Sequence, residues 1–135
     1  MALVEWSDRY SVGVAKMDAQ HRQLIDVLNE LHKAMGAARA GEILPGLLQR
    51  LGQYAGAHLA EEERLLRTHG YPAFAQHKQQ HDAYLTKVQS FQQQLARGQT
   101  SASIALLSFL RKWWTGHILN VDREYAGFLK AKGVA

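Results

Sequence analysis

Seven residues of types that bind transition metals recur at helical spacing along this 135-residue chain. They are His21, the pair His58 and Glu62, the pair His77 and His81, and the pair His117 and Asp122. Imidazole nitrogens and carboxylate oxygens form a ligand set that suits first-row metals such as iron or zinc. A tetrahedral zinc ion takes four ligands, so seven are too many for one such ion. The set instead predicts two six-coordinate metals that share bridging carboxylates.

The apolar residues around these positions follow the 3.6-residue period of helices, and no strand-like alternation competes with it. The pattern predicts one all-α domain over residues 1–135. An aromatic arm, residues 1–17, precedes helices at about 18–38, 42–68, 72–97 and 100–130. Asp18 is the expected N-cap of the first helix, and Thr100 or Ser101 that of the fourth. Gly70 ends the second helix and Pro72 opens the third.

Short connections make neighbouring helices antiparallel, so the predicted architecture is an up-down-up-down four-helix bundle. In such a bundle the starts of the first and third helices lie beside the ends of the second and fourth. The seven ligand positions fall at those starts and ends, within a slab on the order of 10 Å thick at ~1.5 Å per residue. Buried imidazoles and carboxylates without partners would each cost several kcal/mol, which also favours a metal site.

Spacing leaves two carboxylate positions open. Glu61, three residues after His58, would face the interior as readily as the glutamate that follows it. His117 and Asp122 are five residues apart, roughly 140° around a regular helix. Either the helix carries a π-type turn there, or the carboxylate reaches across to a bridging position. Glu124 lies on the face of His117 two turns along and is a minor alternative.

The composition excludes several classes of protein and site. The chain has no cysteine, so neither disulfides nor thiolate ligands are available. The net charge is +4, but Lys and Arg are scattered among acidic residues, which argues against nucleic-acid binding. The N-terminus lacks the pattern of a signal peptide, and no apolar run is long enough to span a bilayer. We therefore expect a cytoplasmic protein, acting as a monomer, with no transmembrane segment.

The motifs around the ligands resemble the hemerythrin family over almost the whole chain. They are Trp6…Val12-Gly13-Val14…Asp18-x-Gln20-His21, then His58-x3-Glu62-Glu63, then Tyr71-Pro72-x4-His77-x3-His81, and finally His117-Ile118-x3-Asp122-x2-Tyr125. The size is similar to that of a stand-alone bacterial hemerythrin. One departure bears on the site, since Trp114 stands where the family commonly has a smaller apolar residue.

The resemblance implies a di-iron centre with iron cycling between Fe2+ and Fe3+. One iron would be bound by His77, His81 and His117, and the other by His21 and His58. Glu62 rather than Glu61 would bridge both irons, as would Asp122, with an oxo or hydroxo group as the third bridge. The first iron then has all its positions filled, and the second keeps one open for O2. The implied function is oxygen transport, storage or delivery to an oxygen-consuming enzyme.

The ligand chemistry favours a carrier over an enzyme. Five neutral imidazoles face only two carboxylates, which disfavours oxidation states above diferric. Two rival hypotheses are an oxygen or redox sensor acting through a partner, and a di-iron enzyme that handles peroxide or nitric oxide. An oxygen pocket must exclude water and anions, and helical spacing from the ligands predicts that Ile25, Trp113 and Ile118 line it.

Overall fold

The computed structural model describes residues 3–36, 40–99 and 101–135. A 3-10 turn, Asp8–Tyr10, lies in the N-terminal arm. The helices are α1 (Ala15–Met35), α2 (Ala40–Thr68), α3 (Phe74–Ala96), α4 (Ala102–Gly116) and α5 (Arg123–Ala131), and a π-helical segment, His117–Asp122, joins α4 to α5. Together α4, the π segment and α5 form one long helix, so the fold is an up-down-up-down four-helix bundle. Among the described residues, no helix combines the length and apolar character that crossing a membrane requires.

The first helix begins earlier than predicted because Asp18 is not its N-cap. Val14 occupies that position and makes no side-chain capping bond. The Asp18 carboxylate, within the first turn, accepts hydrogen bonds from the Val12 amide (2.8 Å) and the Ser11 hydroxyl (2.5 Å). The side chain therefore fastens the arm to α1, at a helix start where the dipole favours negative charge.

Two of the predicted boundary residues also act differently from expectation. Gly70 does end α2, with φ at 70°, and the amide of Tyr71 bonds back to the carbonyl five residues earlier. Pro72 lies in the turn that follows and does not open α3, which begins at residue 74. Ser101 occupies the N-cap position of α4 as predicted, but its backbone is helical and its side chain makes no capping hydrogen bond. Thr100 lies outside the described residues.

The π-type turn at His117–Asp122 is confirmed. In a regular helix, residues five apart diverge by roughly 140°. The wider π turn brings both side chains to the interior, and both are buried. The π segment therefore supplies two inward polar groups from one helix.

The interior contains two apolar clusters with a polar layer between them. The larger cluster includes Leu24, Leu28, Leu51, Leu106 and Ile118, and the smaller one includes Val12, Met17, Leu66, Tyr125 and Leu129. Along α1, for example, the chain passes from Met17 through His21 to Leu24. Each buried leucine or methionine contributes roughly 1.5–3 kcal/mol, which offsets the cost of enclosing the polar layer.

Candidate metal centre

The polar layer brings together all seven predicted metal ligands, and none is more than 4% exposed. Their donor atoms form two groups, each with all atoms within 4.8 Å of one another: Glu62, His77, His81, His117 and Asp122 in one, and His21, His58, Glu62 and Asp122 in the other. We call His77, His81 and His117 the three-histidine group, and His21 and His58 the two-histidine group. The two carboxylates belong to both groups.

The two oxygens of Glu62 face different histidine groups. Oε1 lies 2.7 Å from Nε2 of His77 and 3.1 Å from Nε2 of His81. Oε2 lies 3.4 Å from Nε2 of His58 and 3.6 Å from Nε2 of His21. With metal–ligand bonds of roughly 2.1 Å, two ligands at right angles on one ion lie roughly 3 Å apart. The spacing fits a carboxylate that could serve two ions at once.

Asp122 repeats the arrangement from the opposite helix. Its Oδ1 lies 2.9 Å from Nε2 of His117 and 3.2 Å from Nε2 of His77. Its Oδ2 lies 3.1 Å from Nε2 of His21. Both carboxylates thus direct one oxygen to each group, and all five histidines present Nε2.

Hydrogen bonds outside the layer decide which ring nitrogen carries the proton in three of the histidines. Nδ1 lies 2.6 Å from Gln20 Oε1 in His58, 2.8 Å from Glu63 Oε2 in His81, and 3.1 Å from Gln80 Oε1 in His117. These oxygens only accept, so each Nδ1–H donates and each Nε2 turns its lone pair to the layer. Gln20, Glu63 and Gln80 each adjoin a predicted ligand along the chain, but spacing alone did not assign a role to any of them.

The donor atoms of the layer fit metal cations. The evidence is that several buried polar atoms of the layer have no hydrogen-bond partner. Nε2 of His81 and Nε2 of His117 lie 3.1 Å apart with both lone pairs facing each other. Both Asp122 oxygens, both His21 nitrogens and Nε2 of His58 are buried and make no hydrogen bond of acceptable geometry. Buried polar atoms without partners cost free energy, and a shared cation removes that cost.

Opposite charges in the layer shift the pKa values of its histidines and carboxylates. Burial alone would lower the pKa of His21 and His77, but the carboxylates of Asp122 and Glu62 raise it to about 9. Burial would raise the pKa of Glu62, but the surrounding histidines hold it well below the usual range, and the same holds for Asp122. The layer therefore requires positive charge, which protons or metal ions can supply, and metal binding displaces protons.

Tyr125 supports Glu62 from the smaller apolar cluster. Its hydroxyl donates a hydrogen bond of 2.8 Å to Glu62 Oε2. Burial and the negative charge of Glu62 raise the pKa of Tyr125 well above its ordinary value, so the phenol keeps its proton.

The alternative carboxylates lie outside the polar layer. The Glu61 side chain is 23% exposed, and it pairs with Lys16 and accepts a 2.7 Å hydrogen bond from Gln20 Nε2. Glu124 is exposed. Neither belongs to a donor-atom group of the polar layer.

Of the three predicted pocket residues, Trp113 packs against a ligand ring, and Ile25 and Ile118 lie buried in the larger apolar cluster. Trp113 stacks on the His117 ring at 4.3 Å between centroids, which places it beside the three-histidine group. Trp114, fully buried, has its ring centroid 6.0 Å from that of His58, beside the two-histidine group. Sequence reasoning left Trp114 out of the pocket, and its departure from the family pattern was the available signal.

Comparison with known proteins decides the family. The profile described as the hemerythrin HHE cation binding domain matches residues 12–129. The chain belongs to the hemerythrin family. It is 34% identical over 134 residues to a bacteriohemerythrin of Stenotrophomonas maltophilia, covering 97% of this chain and 84% of that protein. A bacteriohemerythrin of Methylococcus capsulatus is 30% identical, with 97% and 100% covered.

Solved hemerythrin structures share the bundle. A wild-type hemerythrin crystal structure superposes with a TM-score of 0.83 at 28% identity, covering 93% of this chain and 97% of that one. A variant with leucine replaced by alanine gives 0.84 at 29% identity, with 94% and 97% covered. This hemerythrin-family chain therefore has the same fold as those hemerythrin crystal structures.

Proposed function

We propose that this chain binds dioxygen reversibly at a non-haem di-iron centre and serves in oxygen transport, storage or delivery. The observation that carries the proposal is the placement of Glu62 and Asp122, each with one oxygen toward each histidine group. Such a pair of carboxylates suits two metals better than one. The cation-binding description of the family and the bacteriohemerythrin names of the relatives support it.

In this proposal the three-histidine group holds one iron and the two-histidine group holds the other. Glu62 and Asp122 hold both. The two-histidine group offers one ligand fewer, so an iron held there would have room for a small ligand. When bound, a di-iron centre of this kind supplies reversible two-electron binding of dioxygen.

The surrounding residues hold the ligands in position. Gln20, Glu63 and Gln80 accept the Nδ1 protons of three histidines, which keeps each Nε2 free to bind and fixes the plane of each ring. The Tyr125 hydroxyl fixes Glu62 Oε2, the oxygen that faces the two-histidine group. Because its pKa is raised, this phenol donates a hydrogen bond at neutral pH without titrating.

In this proposal the larger apolar cluster excludes water from the metal centre, with Trp114 beside His58. Ile25, Ile118 and Trp114 belong to the larger apolar cluster and are at most 2% exposed. Trp114 is held by a 3.0 Å hydrogen bond from its Nε1 to the Tyr84 hydroxyl. A water-excluding apolar lining matters for an oxygen carrier. Water and anions would otherwise compete for an open metal position and promote irreversible oxidation of the iron. The excess of neutral imidazoles over carboxylates also favours reversible binding over catalysis.

The test is the visible spectrum of the iron-loaded protein, reduced without air, then exposed to air, then purged with argon. A band that forms with O2 and disappears on purging supports the carrier. A band that never forms, or that decays to a ferric spectrum without reversal, rejects it. Catalytic consumption of peroxide or nitric oxide would then favour an enzyme, and an oxygen-dependent protein partner a sensor.

A further inference from the structure

Three consecutive glutamates on α2 have different surroundings. Glu62 is buried in the polar layer, and Glu61 pairs with Lys16 at the surface. Glu63 lies against α3, where its Oε2 accepts the Nδ1 proton of His81 at 2.8 Å. Successive residues of a helix differ by roughly 100° around its axis, so the three carboxylates point in three directions. Of the three, only Glu63 accepts a hydrogen bond from the outer nitrogen of a candidate metal ligand.

The other histidines of the polar layer have no charged acceptor at Nδ1. Nδ1 of His58 lies 2.6 Å from Gln20 Oε1, and Nδ1 of His117 lies 3.1 Å from Gln80 Oε1, so both acceptors are neutral amides. In two further histidines Nδ1 has no hydrogen-bond partner in the described part of the chain, and they are His21 and His77. His81 is therefore the one histidine of the layer that donates its Nδ1 proton to a carboxylate.

The charge of Glu63 acts mainly on His81. Within residues 3–36, 40–99 and 101–135, Glu63 forms no ion pair with a lysine or arginine. Lys78 interacts with Glu63 over a longer distance, but its ammonium group bonds directly to both oxygens of Asp82, at 2.9 and 3.0 Å. The Glu63 side chain is 18% exposed and that of His81 is fully buried, so water screens their interaction only in part.

A charged acceptor changes how strongly an imidazole binds a metal at its other nitrogen. Hydrogen bonds to an ionised carboxylate are roughly twice as strong as those between neutral groups. When Nδ1–H donates such a bond, the ring becomes more basic and Nε2 becomes a stronger donor to a metal. A stronger donor stabilises Fe3+ more than Fe2+, because the higher charge gains more from each donated electron pair. A neutral amide in the same place orients the ring without supplying charge.

We propose that Glu63 tunes the iron of the three-histidine group, because its charge strengthens His81 as a ligand and so lowers the reduction potential of that iron. Glu63 is a positioning residue, since it acts only through His81. The inference rests on the proposed di-iron function and deepens it. Oxygen binding draws electrons from such a centre, so a lower potential favours the oxygenated state. Glu63 therefore raises the oxygen affinity above the value that glutamine at this position would give.

Two variants move the charge and keep a hydrogen-bond acceptor at each histidine. Glu63→Gln gives His81 the same neutral acceptor that His117 has. Adding Gln80→Glu to that variant gives His117 a charged acceptor and restores the net charge of the wild type. Asp26→Asn removes one negative charge from an exposed position on α1 and is the matched control. Circular dichroism confirms that each variant is helical.

The first readout is the affinity of the metal-free protein for Zn2+ in competition with a chelator. The second is the midpoint potential of the iron-loaded protein in a redox titration. Glu63→Gln should weaken the binding of one Zn2+ about tenfold, the lower end of the range for partners of metal-bound histidines. It should also raise the midpoint potential by about 59 mV, which corresponds to a tenfold change for one electron. The double variant should recover part of both changes, and Asp26→Asn should show neither.

A role limited to orienting the His81 ring predicts a different result. Glu63→Gln would then keep the Zn2+ affinity and the potential of the wild type, while Glu63→Leu, which removes the acceptor, would weaken Zn2+ binding. That result overturns the proposal, and so does an equal change in Asp26→Asn. The Zn2+ measurement requires neither iron nor O2, so it decides the effect of Glu63 on His81 even if the oxygen spectrum rejects the carrier.

Discussion

Replacing Glu62 with glutamine, beside the matched change Glu61→Gln, tests the metal centre most directly. The two residues are neighbours in sequence and the substitutions are the same size. Glu62 is fully buried with an oxygen toward each histidine group. Glu61 is 23% exposed and pairs with Lys16 at the surface. Glu62→Gln should therefore lose both irons, and Glu61→Gln should keep them.

Coulomb's law sets the scale of the difference. Even at ~4 Å, further than a ligating oxygen would lie, a unit charge and a metal charge at an effective dielectric constant of ~20 attract by about 4 kcal/mol, or roughly a thousandfold in affinity. Because Glu62 contacts both groups, its neutralisation should weaken both sites by that order. An ion pair as exposed as that of Glu61 contributes at most about 1 kcal/mol. Its loss should therefore change iron affinity by at most roughly fivefold.

The assay is iron per protein chain after equilibration with a competing chelator, with circular dichroism to confirm that each variant is helical. The wild type and Glu61→Gln should retain two irons at chelator concentrations that strip Glu62→Gln completely. Two irons retained by Glu62→Gln would refute the bridging role, and loss from Glu61→Gln alone would transfer that role to Glu61.

Three further predictions concern the surroundings of the ligands. Ile118→Ala should keep its iron but oxidise faster to the ferric form in air, followed by decay of the oxygenated band; an unchanged rate would remove Ile118 from the pocket. Gln20→Leu deprives the His58 Nδ1 proton of its acceptor and should weaken metal binding about 10–100-fold in chelator competition, whereas wild-type affinity would mean that the bond does not orient the ring. Tyr125→Phe removes a hydrogen bond to the Glu62 carboxylate worth about 1.5–3 kcal/mol, so the thermal midpoint of the metal-free protein should fall by roughly 5–10 °C; no fall would show that the bond adds no stability.

The sequence was sufficient for the bundle and for the ligand constellation because both depend on periodicity. Histidines at helical spacing must share a face, and the five-residue step between His117 and Asp122 required either a π turn or a long reach. The choice between Glu61 and Glu62 could not follow from spacing, since adjacent residues differ by only roughly 100° around a helix. The resemblance to hemerythrins favoured Glu62 as the bridging carboxylate, and Glu62 is buried in the structure.

Contacts that depend on tertiary packing could not be predicted from the sequence. Asp18 has the chemistry of an N-cap, yet its carboxylate bonds to Ser11 and Val12 of the arm, a choice made by tertiary packing. The tryptophans at 113 and 114 are both reasonable pocket residues by composition. Which of them faces the two-histidine group depends on how the long helix rotates against α2, and that is settled only when the helices pack.

The π segment changes the direction in which the later side chains of the long helix point around its axis. If residues 110–129 formed a regular helix, Asp122, Tyr125 and Leu129 would point roughly 60–120° away from the face of Leu110. The extra residue in the π turn rotates them back by roughly 100°, onto the buried face. The segment is thus equivalent to a one-residue insertion, and deletion of the exposed Asn120 should leave an uninterrupted α-helix with the histidine and the carboxylate four residues apart. Chains of this fold could therefore differ in length by one residue at this point and still present the same interior.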